Sequence, residues 1–250
     1  INIQPDFVEV RGKKFENVLI KDVFKKLIEE ISDSDVKKSS VVPEFGYPKS
    51  PAPTEKQLSN SYIYPRLSEF LKEDDIFVTE VGLVPFGATP MKLPKNISVQ
   101  NQMLWGSIGW ATPCAFGCAI ADRKRRTVLV TGDGAHQLTA QEISTMMRNK
   151  VKPVIFVINN VGYTVERILC DDVHYGYNEI ASWNYSMLPK VFKGDCFVAS
   201  AKTEKEFDEV LKKVEIEQKE KMCYIELFTD YLDIPPLAMS IAKHPEQLKK

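Results

Sequence analysis

Two apolar strands that end in oxygen-bearing residues do most to limit what this chain folds into. Thr127-Val128-Leu129-Val130-Thr131 runs into Gly132-Asp133-Gly134, and Val154-Ile155-Phe156-Val157-Ile158 closes on Asn159-Asn160. In a parallel sheet both strands emerge at one carboxyl edge, the edge at which α/β folds bind ligands. Asp133 and Asn160, far apart in sequence, then meet on one small cation. The expected outline is a metal-held diphosphate site.

The local chemistry fits that outline. From Thr131 to Met147 there is no Lys or Arg, so a bound phosphate needs another source of positive charge. Mg²⁺ takes about six oxygens at roughly 2.0–2.1 Å and is usually held by one or two protein groups plus phosphates. Asp133 offers a charged oxygen and the Asn160 amide a neutral one. The backbone carbonyl of Gly162 completes the protein's share, because glycine lets the chain turn tightly enough to aim it. Gly134 and Ala135 open a helix expected over 137–148, whose free N–H groups suit a diphosphate. Taken alone, Gly-Asp-Gly reads more readily as a strand-to-helix turn with Asp as N-cap. The Asn pair at the end of the next strand reverses that balance.

Alternation of elements sets the fold class. A strand is expected over 6–10 and an amphipathic helix over 21–31. From Ser32 to about Asn60 the text is polar and carries Pro43, Pro48, Pro51 and Pro53, which reads as a linker. Beyond it come a helix over 62–71, a strand over 76–80 and a helix over 107–121. The two motif strands follow, then a strand over 196–200, a helix over 204–218 and a last strand over 223–228. This is α/β text, and it predicts a doubly wound, mostly parallel sheet.

Composition excludes several classes. A formal charge of −1 gives no reason to expect nucleic acid or a membrane surface as partner, and no apolar run approaches the ~20 residues of a spanning helix. The five cysteines (Cys114, Cys118, Cys170, Cys196 and Cys223) contain no Cys-x-x-Cys pair. Free thiols in a reducing compartment, the cytoplasm, are expected. His136 and His174 are read as structural or solvated groups.

The motifs carry a resemblance. Gly132-Asp133-Gly134 with Asn159-Asn160 at this separation resembles the thiamin diphosphate fingerprint. The longer text, Gly132-Asp-Gly-Ala-His-Gln-Leu-Thr-Ala-Gln-Glu-Ile-Ser and Asn159-Asn-Val-Gly-Tyr-Thr-Val-Glu-Arg, resembles the 2-oxo-acid decarboxylases of the pyruvate, indolepyruvate and phenylpyruvate type. Trp105-Gly-Ser-Ile-Gly-Trp110, Tyr177-Asn-Glu-Ile180 and Trp183-Asn-Tyr-Ser-Met-Leu-Pro189 add to it. It runs from about Ser59 to the C-terminus and more faintly over the first thirty residues.

The resemblance implies the C-terminal part of an enzyme that uses thiamin diphosphate and Mg²⁺ to convert a 2-oxo acid to an aldehyde and CO₂. Residues 1–32 are then the tail of a middle domain, 33–60 the linker, and 61–250 the diphosphate-binding domain. Asp133, Asn160 and Gly162 are implied as metal ligands, and Gly82, Leu83, Gly134 and Ala135 as cofactor contacts. Ile108 is implied as the wedge beneath the bent cofactor, and the Gly106 carbonyl as acceptor of its 4′-amino group. Glu166, expected in the first turn of a new helix, is implied to handle protons near the substrate. Burial there would favour its protonated form. Val165 and Leu169 are implied to line the substrate end, one methylene roomier than in relatives with Ile. That suggests a substrate longer than pyruvate.

Departures and gaps are visible too. Leu83-Val84 stand where relatives usually carry Thr-Ser, and Leu169-Cys170-Asp171 where many have Ile-His-Gly. The pyrimidine-binding domain is expected from the same or a neighbouring subunit, in a homodimer or homotetramer, and the isolated chain is expected to be inactive. Two alternatives stay open: a non-catalytic cofactor-binding or assembly subunit, and an acetolactate-synthase-like carboligase.

Overall fold

The structure, a computed structural model, describes residues 1–32 and 46–248. The chain divides into two compact units, Ile1–Glu44 and Phe45–Lys250. The first holds a three-stranded antiparallel sheet of β1 (Asn2–Ile3), β2 (Phe7–Val10) and β3 (Lys13–Glu16), followed by helix α1 (Ile20–Glu30). Only β2 and α1 were legible in advance. β1 has two residues, and every residue of β3 is exposed, so neither carries an apolar pattern.

The second unit begins on the proline-bearing text, earlier than the expected boundary at residue 61. Residues 33–45 of that stretch lie outside the described residues. Residues 51–57 are exposed, but the stretch is anchored at points along it: Tyr47 donates its hydroxyl to the Gly87 carbonyl at 3.0 Å, Leu58 is buried, and Gln57 bridges to Thr203.

Next come α2 (Asn60–Phe70), β4 (Ile76–Thr79), α3 (Val84–Ala88), β5 (Ser98–Gln100), α4 (Ala111–Ala121) and β6 (Thr127–Gly132). α5 (Asp133–Thr139), α6 (Glu142–Arg148), β7 (Val154–Asn159), α7 (Thr164–Leu169) and α8 (Leu188–Val191) follow. β8 (Cys196–Ala201), α9 (Glu204–Glu217) and β9 (Met222–Phe228) complete the regular elements. The six strands form one sheet in the order β5-β4-β6-β7-β9-β8, every pair parallel.

Uninterrupted apolar strands are what a sheet covered on both faces demands. Alternate residues of β6 and β7 enter two separate cores. Val128, Val130, Val154, Phe156 and Ile158 pack with Ile63 and Leu67 of α2 and Phe207 and Leu211 of α9. Leu129, Ile155 and Val157 pack with Ala111 and Ala115 of α4 and Ile143 and Met146 of α6. The alanines at i and i+4 let α4 lie close on the sheet. α9 is started by a capping box in which the Thr203 hydroxyl accepts from Glu206 N and the Glu206 carboxylate accepts from Thr203 N.

Two expectations about elements are corrected. The helix expected over 137–148 starts four residues earlier, at Asp133, and breaks at Ala140–Gln141 into α5 and α6. The helix expected over 107–121 starts only at Ala111, because Gly106 and Gly109 take positive φ and hold the preceding segment irregular. β5, short and polar at the sheet edge, was not foreseen.

Candidate functional site

Chain order places a switch point between β4 and β6. From β4 the chain steps outward to β5, then returns past β4 to form β6 on its other side. Crevices at the carboxyl ends of strands flanking such a reversal are where open α/β sheets bind ligands. A cavity of about 260 Å³ opens there, lined by residues that follow β4, β6 and β7. Gly82, Leu83, Gly106, Ile108, Asp133, Gly134, Ala135, Asn160, Gly162, Val165 and Glu166 all line it. Leu169 does not; it is exposed at the end of α7.

Asp133 and Asn160 converge. Asp133 is 1 % exposed and accepts N–H bonds from Gly134 at 2.7 Å and Gly162 at 3.3 Å. The inward atom of the Asn160 amide lies 3.2 Å from Asp133 Oδ1 and 3.0 Å from the Gly162 carbonyl oxygen. Its neighbour decides which atom that is. Thr164 has one hydroxyl proton, and its Oγ1 stands 2.8 Å from the Tyr231 carbonyl, which can only accept. With that bond kept, Oγ1 accepts from Asn160 Nδ2, 2.9 Å away. In this orientation the inward atom is Asn160 Oδ1, which faces the Asp133 and Gly162 oxygens. Turning the amide over would pair the nitrogen with Asp133 and Gly162, but would strip the Tyr231 carbonyl of its donor.

Adjacent oxygens of an octahedron with metal bonds near 2.05 Å are about 2.9 Å apart. The observed separations match that edge. Burial pushes the Asp133 carboxyl up to about 6, against the pull of the backbone N–H groups around it. A divalent cation relieves both the oxygen–oxygen repulsion and the buried charge. No Lys, Arg or His lines the cavity, so a diphosphate placed here depends on that cation. The donor set fits Mg²⁺ and a phosphorylated cofactor.

Glycine is required at two of these positions. A Cβ on Gly162 would lie 2.4 Å from the Asn178 carbonyl oxygen, and its φ of +142° excludes other residues. A Cβ on Gly134 would lie 2.6 Å from the Tyr163 ring. The loop 160–162 is held from behind by Arg167, 3 % exposed, whose Nη2 donates to the Val161 carbonyl at 3.2 Å.

Glu166 lies in the first turn of α7 at the mouth of the cavity. The burial expected around its carboxyl is not supplied by these residues, because Glu166 is exposed. Ile108 is also exposed, at 46 %. Exposure of these two marks the open side.

Several contributors escaped sequence reasoning. Glu80, buried at the end of β4, accepts from Val81 N at 3.0 Å and Ala111 N at 3.1 Å, and burial raises its pKa. It ties the segment carrying Gly106 and Ile108 to the sheet. Asn60 lines the cavity and is held by Asp233. Thr164, which orients Asn160, had the position of a helix N-terminus but no visible partner. Glu226 takes Asn159 Nδ2 at 2.8 Å, which holds the first Asn of the pair on the neighbouring strand and leaves Asn160 to face the cavity. His136 stays out of the cavity: it is fully buried between Thr112 and Tyr224, and burial lowers its pKa to about 4.

Residues 81–227 match the family model described as thiamine pyrophosphate enzyme, C-terminal TPP binding domain. The chain belongs to the thiamine pyrophosphate enzymes. It is similar to pyruvate decarboxylases from Aspergillus fumigatus (35% identical, over 77% of this chain and 34% of that protein) and Candida glabrata (34%, over 97% and 44%). Pyruvate decarboxylase isozyme 1 of Saccharomyces cerevisiae is 33% identical over 97% of this chain and 44% of its own length. The chain spans less than half the length of each of these relatives. Thiamine pyrophosphate (thiamin diphosphate) with Mg²⁺ is the cofactor of this domain, and the sheet is the α/β architecture expected from the sequence.

Proposed function

We propose that this chain supplies the diphosphate and metal half of the active site of a thiamin diphosphate-dependent 2-oxo-acid decarboxylase, which releases CO₂ and an aldehyde. The convergence of Asp133, Asn160 Oδ1 and the Gly162 carbonyl carries this reading, because three facing oxygens call for a cation and the cavity has no other positive charge. Those three groups would hold Mg²⁺. The backbone N–H of Ala135, at the start of α5, would face the diphosphate, while that of Gly134 stays on Asp133. Gly82 and Leu83 close the wall opposite Val165.

The cofactor supplies a carbon nucleophile and an electron sink; the chain orients it and moves protons. The Gly106 carbonyl would accept the amino group of the bound cofactor's pyrimidine, and Ile108 would pack beneath it. Glu166 holds a proton at the mouth, next to where the substrate carboxylate leaves. Val165 shapes the substrate end, and its small size favours 2-oxo acids longer than pyruvate. The open side, with Ile108 and Glu166 exposed, faces a pyrimidine-binding domain of the same or a neighbouring subunit in a homodimer or homotetramer. Free cysteines throughout the described residues support a cytoplasmic setting, and no described helix is long and apolar enough to cross a membrane.

One observation favours a second reading. Leu83-Val84 bring no hydroxyl to the cavity, and Val84 is buried, which suits a cofactor-binding subunit without turnover. The full-length protein, loaded with thiamin diphosphate and Mg²⁺, separates the two. The decarboxylase reading expects 2-oxo-acid-dependent CO₂ release that falls ~10²–10⁴-fold in Glu166→Gln with cofactor binding intact. Tight cofactor binding without CO₂ release from any 2-oxo acid would overturn it.

A further inference from the structure

The amino edge of the sheet, opposite the cofactor cavity, carries a second cavity of about 380 Å³. It lies where β6 and β7 begin and α4, α6 and α9 end. Seven basic side chains and no carboxylate line it. Helix C-termini each present about half a negative charge and attract cations, so some of these bases have a structural task. That task is already filled. Arg123 donates twice to the Asn149 carbonyl beyond α6, both at 3.2 Å, and Lys152 Nζ donates to the Lys219 carbonyl beyond α9 at 2.8 Å. Arg125 is spent on the Asp74, Asp75 and Asn96 carbonyls and on Ser98.

What remains is unmatched. Among the described residues, the ammonium groups of Lys124, Lys150 and Lys219 join no ion pair or side-chain hydrogen bond. Arg126 gives Nε and Nη2 to Asp75 at 2.9 and 2.5 Å and Nη2 also to the Phe70 carbonyl, but its buried Nη1 has no hydrogen-bond partner. Nη1 forms only a long ion pair, 3.8 Å from Glu215 Oε1, while Lys72 takes the other oxygen of that carboxylate. Thr127, 2 % exposed on the cavity wall, has a hydroxyl without a partner. Buried donors left orphaned beside free cations are what an oxyanion site looks like before its ligand arrives, since a buried donor without a partner is costly to leave unmet.

We propose that this amino-edge cavity binds a phosphate-bearing small molecule. Its phosphoryl oxygens accept from Lys124, Lys150 and Lys219 as point charges and from Arg126 Nη1 and Thr127 Oγ1 at the floor after a small opening. The volume lies within the range of small-molecule pockets, about 300–1,000 Å³, which leaves room for a small phosphorylated molecule. This site is separate from the cofactor's diphosphate cavity, with the length of the sheet between them.

The test titrates inorganic phosphate into the full chain saturated with thiamin diphosphate and Mg²⁺, so that the cofactor cavity is filled. Calorimetry is run at matched ionic strength with chloride as control. Wild type should give saturable binding, weakened at least ~tenfold in the double variant Lys124→Gln, Lys150→Gln. Thr127→Val should also weaken phosphate binding while leaving the melting temperature unchanged or higher, because it removes an unmet donor. Identical titrations of wild type and the double variant, or no binding beyond chloride, overturn the proposal. Binding that vanishes only when the cofactor is added overturns it too, by assigning the phosphate to the cofactor cavity.

Discussion

Replacing Asp133 by Asn separates what the residue does for the fold from what it does for the cofactor. In the metal-free protein burial lifts the Asp133 carboxyl from 3.8 to about 6. A carboxyl bound to its proton more tightly when folded than when unfolded opposes folding once ionised. The sign runs against the usual Asp case: below the unfolded value there is no penalty, and apo stability is lost as pH rises from about 4 to about 6. At 1.36 kcal/mol per unit, two units amount to about 3 kcal/mol at pH 7.5. Asn removes that charge but keeps only one acceptor for the Gly134 and Gly162 N–H groups, and a buried N–H left unpaired costs about 1–3 kcal/mol. Asp133→Asn in the metal-free chain is therefore expected to match or exceed wild type by up to about 2 kcal/mol in urea unfolding at pH 7.5. With Mg²⁺ and thiamin diphosphate added, wild type should gain stability and the variant should not, since ligand that binds only the folded state stabilises by mass action. The reasoning fails if the apo variant is clearly less stable than wild type at pH 7.5. It fails equally if Mg²⁺ and cofactor stabilise both proteins alike.

Three further outcomes follow from the same geometry. Gly162→Ala places a methyl 2.4 Å from the Asn178 carbonyl at a φ of +142°; it should lower stability by about 1–3 kcal/mol and raise the Mg²⁺ concentration needed for cofactor binding, both read by thermal melts across a metal titration. His136, held neutral with a pKa near 4, has a folded value below the unfolded one, so its contribution is present above pH 6.5 and lost as pH falls toward 4. Asp133 gains stability over much of the same window, so removing it in Asp133→Asn should unmask a steeper loss between pH 6 and 4.5 than in apo wild type. Val165→Ile in the full-length enzyme should shift kcat/KM toward pyruvate and away from 4-methyl-2-oxopentanoate and phenylpyruvate by about 10–200-fold; a wild-type preference for pyruvate would defeat the roomy-pocket reading.

Much of this was readable from residues because the strongest signals were local and long. β6 and β7 are continuous apolar runs buried on both faces, and their ends carry the acid and amide that meet over the switch point. The boundaries that were misplaced have local physical causes. Asp133 was read as sitting ahead of a helix, yet its carboxylate bonds the Gly134 N–H next to it, so the helix starts on the ligand itself. Gly106 and Gly109 delay α4 through positive φ, which sequence spacing does not report. Tyr47 and Leu58 make core contacts from within text whose prolines suggested a linker. Thr164 and Glu80 were missed because their roles need a partner from another element: the Tyr231 carbonyl for one, the Ala111 N–H for the other. Leu169 was placed with Val165 at the substrate end, but α7 ends there and turns it to solvent.

The central claim is that one cation sits among Asp133 Oδ1, Asn160 Oδ1 and the Gly162 carbonyl. The most direct measurement is a crystal structure of the full chain with thiamin diphosphate and Mn²⁺ in place of Mg²⁺, using anomalous scattering to find the metal. The account predicts a single anomalous peak bonded to all three oxygens, with Asn160 Nδ2 still on Thr164. A peak elsewhere, or an Asn160 nitrogen turned toward Asp133 in the loaded protein, would contradict it.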